Sequence, residues 1–119
     1  MNEKNIHKFM AEREGLNEIV FKYAGTGTKR FWNLDTRAYE DGALPAKVKE
    51  LMGLTASLVL RCDDCVSYHL LQCHKLGVSD AEFAEAMHIG LIIGGSITIP
   101  HLRRAFKAWD DLRKGEELL

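Results

Sequence analysis

The sequence predicts an all-α protein, a single helical domain of about six helices over residues 1–119. Three observations carry that expectation. Apolar residues recur at steps of three and four along most of the chain, the period of a helix with one buried face. No segment alternates with period two for long enough to read as a strand. Helix start and stop residues fall between the periodic stretches, so the connections are short.

Ile6, Phe9, Met10, Leu16, Ile19, Val20 and Tyr23 mark the first helix, with an irregularity near Arg13. Gly25-Thr26-Gly27-Thr28 ends it, and Thr28 is suited to cap the next helix. Phe31, Leu34 and Ala38 give a short second helix that stops near Asp41-Gly42. Pro45 sits where a third helix starts, because its fixed φ suits the first turn. The apolar stripe of that helix is Val48, Leu51, Met52, Thr55, Leu58 and Val59. A fourth stripe runs Cys62, Cys65, Val66, His69, Leu70, Cys73 and Leu76, and Gly77 supplies its stop. Ser79-Asp80-Ala81-Glu82 is a capping box, in which each end residue's side chain meets the other's backbone N–H. Phe83, Met87, Gly90 and Leu91 face inward on the fifth helix, and Gly94-Gly95 permits a break or a close helix contact. Pro100 starts or kinks a last helix with Leu102, Ala105, Phe106, Trp109 and Leu112 inward. Its tail, Glu116-Glu117-Leu118-Leu119, is expected to fray.

Composition narrows the function. Apolar residues make up 46% of the chain, enough for a core. Sixteen basic residues face seventeen acidic ones, so a net charge of −1 gives no electrostatic reason to expect nucleic acid or an anionic membrane as partner. No stretch approaches the roughly 20 apolar residues of a membrane span. The N-terminal residues lack a secretory h-region, which points to the cytoplasm. There, a Cys-x-x-Cys reads as redox or metal-binding rather than as a structural staple.

The chemistry gathers in one cluster. Glu50 is followed after eleven residues by Cys62-Asp63-Asp64-Cys65, and after three more by His69. On a helix Cys62 and Cys65 lie about 60° apart and Cys65 and His69 about 40° apart, so all three converge. Two influences favour a thiolate here. The first helical turn presents unpaired N–H groups and partial positive charge, and an imidazole one turn on accepts the thiol proton. His69 at i+4 from Cys65 assigns Cys65 as the attacking sulfur and Cys62 as the resolving one. On one straight helix Glu50 would stand about 18 Å from Cys62. For Glu50 to orient His69, the backbone must therefore break near Leu60-Arg61. Asp63 and Asp64 act in the other direction, since carboxylates beside a thiolate raise its pKa, less so when they face solvent.

The order Glu50-x11-Cys62-x2-Cys65-x3-His69 resembles the signature of the alkylhydroperoxidase D-like group within the carboxymuconolactone decarboxylase family. Leu44-Pro45, Glu50-Leu51, the run from Gly77 to Glu82 and Gly94-Gly95 match as well, so the likeness covers about residues 42 to 110. It implies an all-helical fold assembling into homo-trimers or homo-hexamers. It also implies a peroxiredoxin-type oxidoreductase, a peroxidase or disulfide reductase with an antioxidant role. Cys65 would be peroxidatic and Cys62 resolving, with His69 and Glu50 as proton relay. The substrate would be a small hydroperoxide, and the reductant a lipoylated protein, a thioredoxin-like protein or a small thiol. No bound cofactor or metal is required. Better-known peroxidases of the group often carry His just before the second cysteine. Asp64 stands there in this chain, which bears on peroxidase activity and on the electron donor.

Other readings fit the same residues. Cys62, Cys65 and His69, with Cys73 or His74, would supply four zinc ligands, although structural zinc sites usually draw a ligand pair from a distant element. A decarboxylase or isomerase acting on a small carboxylated ring would leave the thiols incidental. A non-catalytic redox-sensing oligomer would use the disulfide without turnover. Cys73 reads as a small buried apolar residue. His74, His88 and His101 read as surface or satisfied core residues, His88 and His101 with a place near the Gly-Gly turn. Arg103, Arg104 and Lys107 read as a solvated helix face.

Overall fold

The computed structural model describes residues 3–117, and among them are six α-helices, one 3-10 turn and no strand. The helices are α1 (Glu3–Tyr23), α2 (Thr26–Ala38), α3 (Ala46–Val59), α4 (Asp63–Lys75), α5 (Asp80–Gly94) and α6 (Ile99–Glu117), with the turn at Ser96–Thr98. The expected order of helices is therefore the observed one. Of the tail, Glu116 and Glu117 continue α6, while Leu118 and Leu119 lie outside the described residues.

α3 lies at the centre, against α4 on one side and α5 on the other, and α6 packs on α4 and α1. Leu54 and Leu58 of α3, Leu70 of α4, and Phe83 and Met87 of α5 form the fully buried middle. Trp109 of α6 stacks on Phe83 at 4.4 Å between ring centroids and donates its indole N–H to Asp80 at 2.8 Å. That pairing buries a large ring and satisfies its one polar atom. The capping box at Ser79 forms as expected, with Glu82 N–H donating to Ser79 Oγ at 3.1 Å and Ser79 N–H to Glu82 Oε1 at 2.8 Å.

Three local expectations are corrected. α2 begins two residues before Thr28, with Gly25 at its N-cap and no side chain capping it. Cys62 is the N-cap of α4 rather than a member of it, and Leu76 past the other end is exposed. On α3 the buried face is Glu50, Leu54, Ser57 and Leu58, while Val48 and Met52 are exposed. α3 is apolar on more than one side, so periodicity alone could not select the face that this chain covers. Its hydroxyls go back to backbone: Ser57 donates to Gly53 O at 2.6 Å, and Thr55 to Leu51 O at 2.9 Å and Ala86 O of α5 at 3.2 Å.

α2 buries no residue at all, and Phe31 and Leu34 on its apolar side are 65% and 67% exposed. It is held at its C-terminal end. Lys49 of α3 donates to Ala38 O at 3.0 Å and Glu40 O at 2.7 Å, answering carbonyls that have no helical partner. Asp41 Oδ1 accepts from Ala46 N–H at 2.7 Å, a service that Pro45 at the N-cap of α3 does not perform. These ties fix Tyr39, the residue after α2, over the inner end of the site. None of the described helices is long and apolar enough to cross a membrane.

Candidate active site

The break between α3 and α4 builds the site. Leu60 ends α3, and Arg61 takes φ 58, the left-handed region. Cys62 N–H donates to Ser57 O at 3.1 Å and Arg61 N–H to Leu58 O at 2.9 Å, the two bonds of a Schellman motif. The chain then reverses, and α4 returns along α3. The break thus falls at Leu60-Arg61, where the sequence requires it, and brings Glu50 to His69.

Glu50 Oε1 lies 2.6 Å from His69 Nδ1, and both side chains are nearly buried. With Glu50 ionised, a carboxylate oxygen this close requires the proton on Nδ1, which leaves Nε2 as the acceptor of the neutral ring. Tyr39 and Tyr68 flank the imidazole, each 5.2 Å from it between ring centroids. Gly53, one turn after Glu50, provides the room. A Cβ there would meet His69 Cε1 and Tyr39 Oη, each at 2.9 Å.

Cys62 and Cys65 are joined in a disulfide, with Cα atoms 5.3 Å apart. Cys62 Sγ accepts from Cys65 N–H at 3.3 Å, so the sulfur performs the capping that a Ser or Asp usually performs. A cavity of about 470 Å³ opens beside Cys65 and His69. Phe9, Arg13 and Leu16 of α1, Asp35 of α2, and Asp64 and Tyr68 of α4 share its wall. The Arg13 guanidinium lies 4.1 Å from the centre of the Tyr68 ring, a cation–π contact. The irregularity near Arg13 in the α1 pattern thus has a cause: the residue turns toward the cavity.

Glu50, Asp35 and Arg13 all act on the tyrosines of the site. Burial, then the charge of Glu50, raises the hydroxyl pKa of Tyr39 and of Tyr68, with Arg13 working against the rise at Tyr68. Cys73 lies in the core outside the disulfide, and burial followed by Glu50 pushes its thiol up to about 12. His74 stands against Trp109 at 5.8 Å, away from the pair, so neither residue considered as a fourth zinc ligand joins Cys62, Cys65 and His69. Among the described residues no group of three or more His, Cys, Asp and Glu is arranged to hold a metal. Of the two aspartates, Asp64 lines the cavity and Asp63 turns to α6, where His101 and Arg104 hold it. His101 is thus a half-buried, hydrogen-bonded residue, Arg104 stays on an exposed helix face while pairing with Asp63, and His88 is exposed. Lys107 pairs with the buried Asp111 at 2.8 Å.

Tyr39, Tyr68, Arg13 and Gly53 are site residues that sequence reasoning misses. Tyr68 has a signal, since it precedes His69. The others reach the site only through packing.

Comparison with known proteins agrees with this architecture. The model of the carboxymuconolactone decarboxylase family matches residues 27–108. Two crystal structures of one Thermotoga maritima protein superpose on the chain. In the first the TM-score is 0.92 at 53% identity, covering 94% of this chain and 98% of that one. In the second the TM-score is 0.89 at 54% identity, covering 92% and 93%; there the protein is described as a carboxymuconolactone decarboxylase family member with a suggested involvement in antioxidative response. A family member from Legionella pneumophila, in its apo form, shares the fold with a TM-score of 0.67 at 24% identity, covering 92% of this chain and 91% of that one. An uncharacterized Cupriavidus necator protein is 33% identical over 75 residues, 63% of this chain. The match spans 66% of that relative's own length, just under two thirds. The chain belongs to the carboxymuconolactone decarboxylase family.

Proposed function

We propose that this protein is a thiol-dependent peroxidase or disulfide reductase of peroxiredoxin type, with Cys65 attacking, Cys62 resolving, and His69 and Glu50 relaying protons. The observation that carries the reading is the buried Glu50–His69 contact of 2.6 Å opening onto the same cavity as Cys65. In the reduced protein His69 Nε2 takes the thiol proton of Cys65. The thiolate attacks the distal oxygen of a hydroperoxide and the O–O bond breaks. Sulfur becomes a sulfenic acid, and the leaving oxygen takes the proton from His69 to depart as alcohol or water. Cys62 then attacks the sulfenic sulfur, forming the disulfide and releasing water. An external dithiol, on a lipoylated or thioredoxin-like protein, or two small thiols restore the pair by exchange and are oxidised in turn. The bonded Cys62–Cys65 pair supports the last two steps, and the exchange suits a cytoplasmic setting, where reductants are supplied.

The test is stopped-flow consumption of hydrogen peroxide and cumene hydroperoxide by the reduced protein, with mass spectrometry to locate the oxidised sulfur. Cys65→Ser is expected to abolish turnover, and undiminished peroxide reduction by that variant rejects the assignment. One observation favours a second reading, an acid–base enzyme acting on a small carboxylated ring. Arg13 places a cation in the cavity, a partner for a carboxylate. That activity would survive Cys65→Ser.

The same reading includes a homo-oligomer, a trimer or hexamer. Ile89, Ile92, Ile93 and Ile97 are each more than half exposed, as are Phe31 and Leu34. On α5 Ile92 and Ile93 follow Ile89 at steps of three and four, on one helix face, and an exposed apolar face is characteristic of surface that a partner covers.

A further inference from the structure

The carboxylate next to Cys62 is held by a second helix. Asp63 Oδ1 lies 2.7 Å from His101 Nδ1, while Arg104 reaches Asp63 Oδ2 through Nε at 3.1 Å and Nη2 at 3.0 Å. His101 and Arg104 are three residues apart on the first turns of α6 and also touch each other, Nη2 to Nδ1 at 3.1 Å. A carboxylate oxygen at 2.7 Å places the proton on His101 Nδ1, so His101 donates to Asp63 and Arg104 directs its N–H groups to the same carboxylate. Partial burial acts to raise the Asp63 pKa, but the hydrogen bonds from His101 and Arg104 outweigh it and hold the carboxyl below its usual range. Asp63 is thus an anion whose field is answered by α6, at the first helical position between the two cysteines.

We infer that Asp63, His101 and Arg104 are positioning residues that set how readily the Cys62–Cys65 pair exchanges between disulfide and dithiol. The inference rests on the redox reading of that pair. An unanswered carboxylate one residue from Cys62 and two from Cys65 would repel a thiolate at either sulfur and favour the disulfide. The cation of Arg104 offsets that repulsion, so the reduced form gains and the disulfide is the stronger oxidant, in the sense that a stabilised thiolate drives reduction. The other charged groups near the pair are common to every variant of the clamp. They include Glu50 of α3 on His69, Arg61 in the turn, Asp64 and His69 on α4, Glu12 and Arg13 of α1, and Asp35 of α2.

The clamp makes a sign-specific prediction. Asp63→Asn removes the anion and leaves the cation, so the thiols titrate lower and the pair shifts toward dithiol. Arg104→Gln removes the cation and leaves the anion, so both quantities move the opposite way. Each shift is expected to be roughly threefold to tenfold, the size of one partly screened charge at short range. Arg104→Lys keeps the charge and stays near wild type, and Asp63→Asn with Arg104→Gln together falls between the single variants.

The measurements are the pH dependence of iodoacetamide alkylation at Cys62 and Cys65, read by peptide mass spectrometry, and the disulfide–dithiol equilibrium in a dithiothreitol buffer. Circular dichroism confirms that each variant folds. A clamp that only braces the helices would move both single variants in the same direction or leave both unmoved, and either result overturns the inference. If Asp63→Asn fails to fold, the contrast between Arg104→Gln and Arg104→Lys decides alone: equal behaviour overturns it. Should the wild-type pair fail to cycle reversibly with dithiothreitol, the redox reading falls and the inference with it. A wild type that cycles, beside variants without opposite shifts, removes the inference only.

Discussion

Glu50 is a buried carboxylate whose charge reaches beyond its hydrogen bond to His69. Tyr39, Tyr68 and Cys73 all have pKa values raised, first by burial and then by this one group. Cys73 is therefore a thiol at any working pH. Iodoacetamide at pH 8 should add two labels to the reduced native protein and a third only in denaturant, counted by intact mass. Rapid native labelling of Cys73 would contradict its place in the core. Its thiol also bears on alkaline stability. The folded-state value is raised, so its contribution is full below the ordinary thiol pKa near 9 and is lost as pH rises toward 12. Gly53 is the other decisive position. Alanine is the better helix former by about 1 kcal/mol. Yet its Cβ would press on His69 and Tyr39, each at 2.9 Å. Gly53→Ala should therefore lower the melting temperature, because overpacking costs about 1–3 kcal/mol, and on the proposed mechanism should slow peroxide reduction by up to about a hundredfold, since a displacement of about 1 Å in a relay group is that costly. An unaltered rate would show that His69 has slack there.

At the level of elements, two helix ends use the same motif with different residues. α4 stops at Gly77, φ 78, with Val78 N–H on Cys73 O and Gly77 N–H on His74 O. α3 stops at Arg61, φ 58, with the same pair of bonds. Glycine enters the left-handed region without steric penalty, whereas a side chain is opposed by about 1 kcal/mol. Gly77 is legible as a stop for that reason. Arg61 carries no such signal, and the break there is inferred only by requiring Glu50 to meet His69. Arg61→Gly is expected to stabilise the protein by up to about 1 kcal/mol, checked by urea denaturation of the oxidised form. A loss of stability would mean that the arginine side chain contributes more than its backbone costs. The N-termini differ in the same way. The Ser79–Glu82 box can be read from four residues. The Asp41 bond to Ala46 N–H, which serves α3 from five residues upstream, cannot.

Across the whole molecule, burial is uneven. α3, α4, α5 and α6 share a core, while α2 contributes no buried residue and the isoleucines late in α5 face outward. A self-association that covers these faces would give a solution mass above the 13.4 kDa of one chain. Light scattering should read a multiple of it, and Ile89→Lys with Ile93→Lys, one turn apart on α5, should shift the protein toward monomer. A wild type that runs as a monomer at micromolar concentration would remove the oligomer from the proposed function.

Helix number, order and approximate ends were set by the sequence, because period, caps and breakers act over three to five neighbours and are written in the residues themselves. So was the grouping of Cys62, Cys65 and His69 at one helix start, since their spacing constrains how a helix can present them, while Glu50 joins them through the family resemblance. Which side of α3 is buried, how Tyr39 and Gly53 frame the imidazole, and that Asp63 answers to His101 and Arg104 were decided by the tertiary structure alone. Those contacts join residues 14 to 41 positions apart. Each depends on the way one helix lies against another, a quantity that no local pattern encodes.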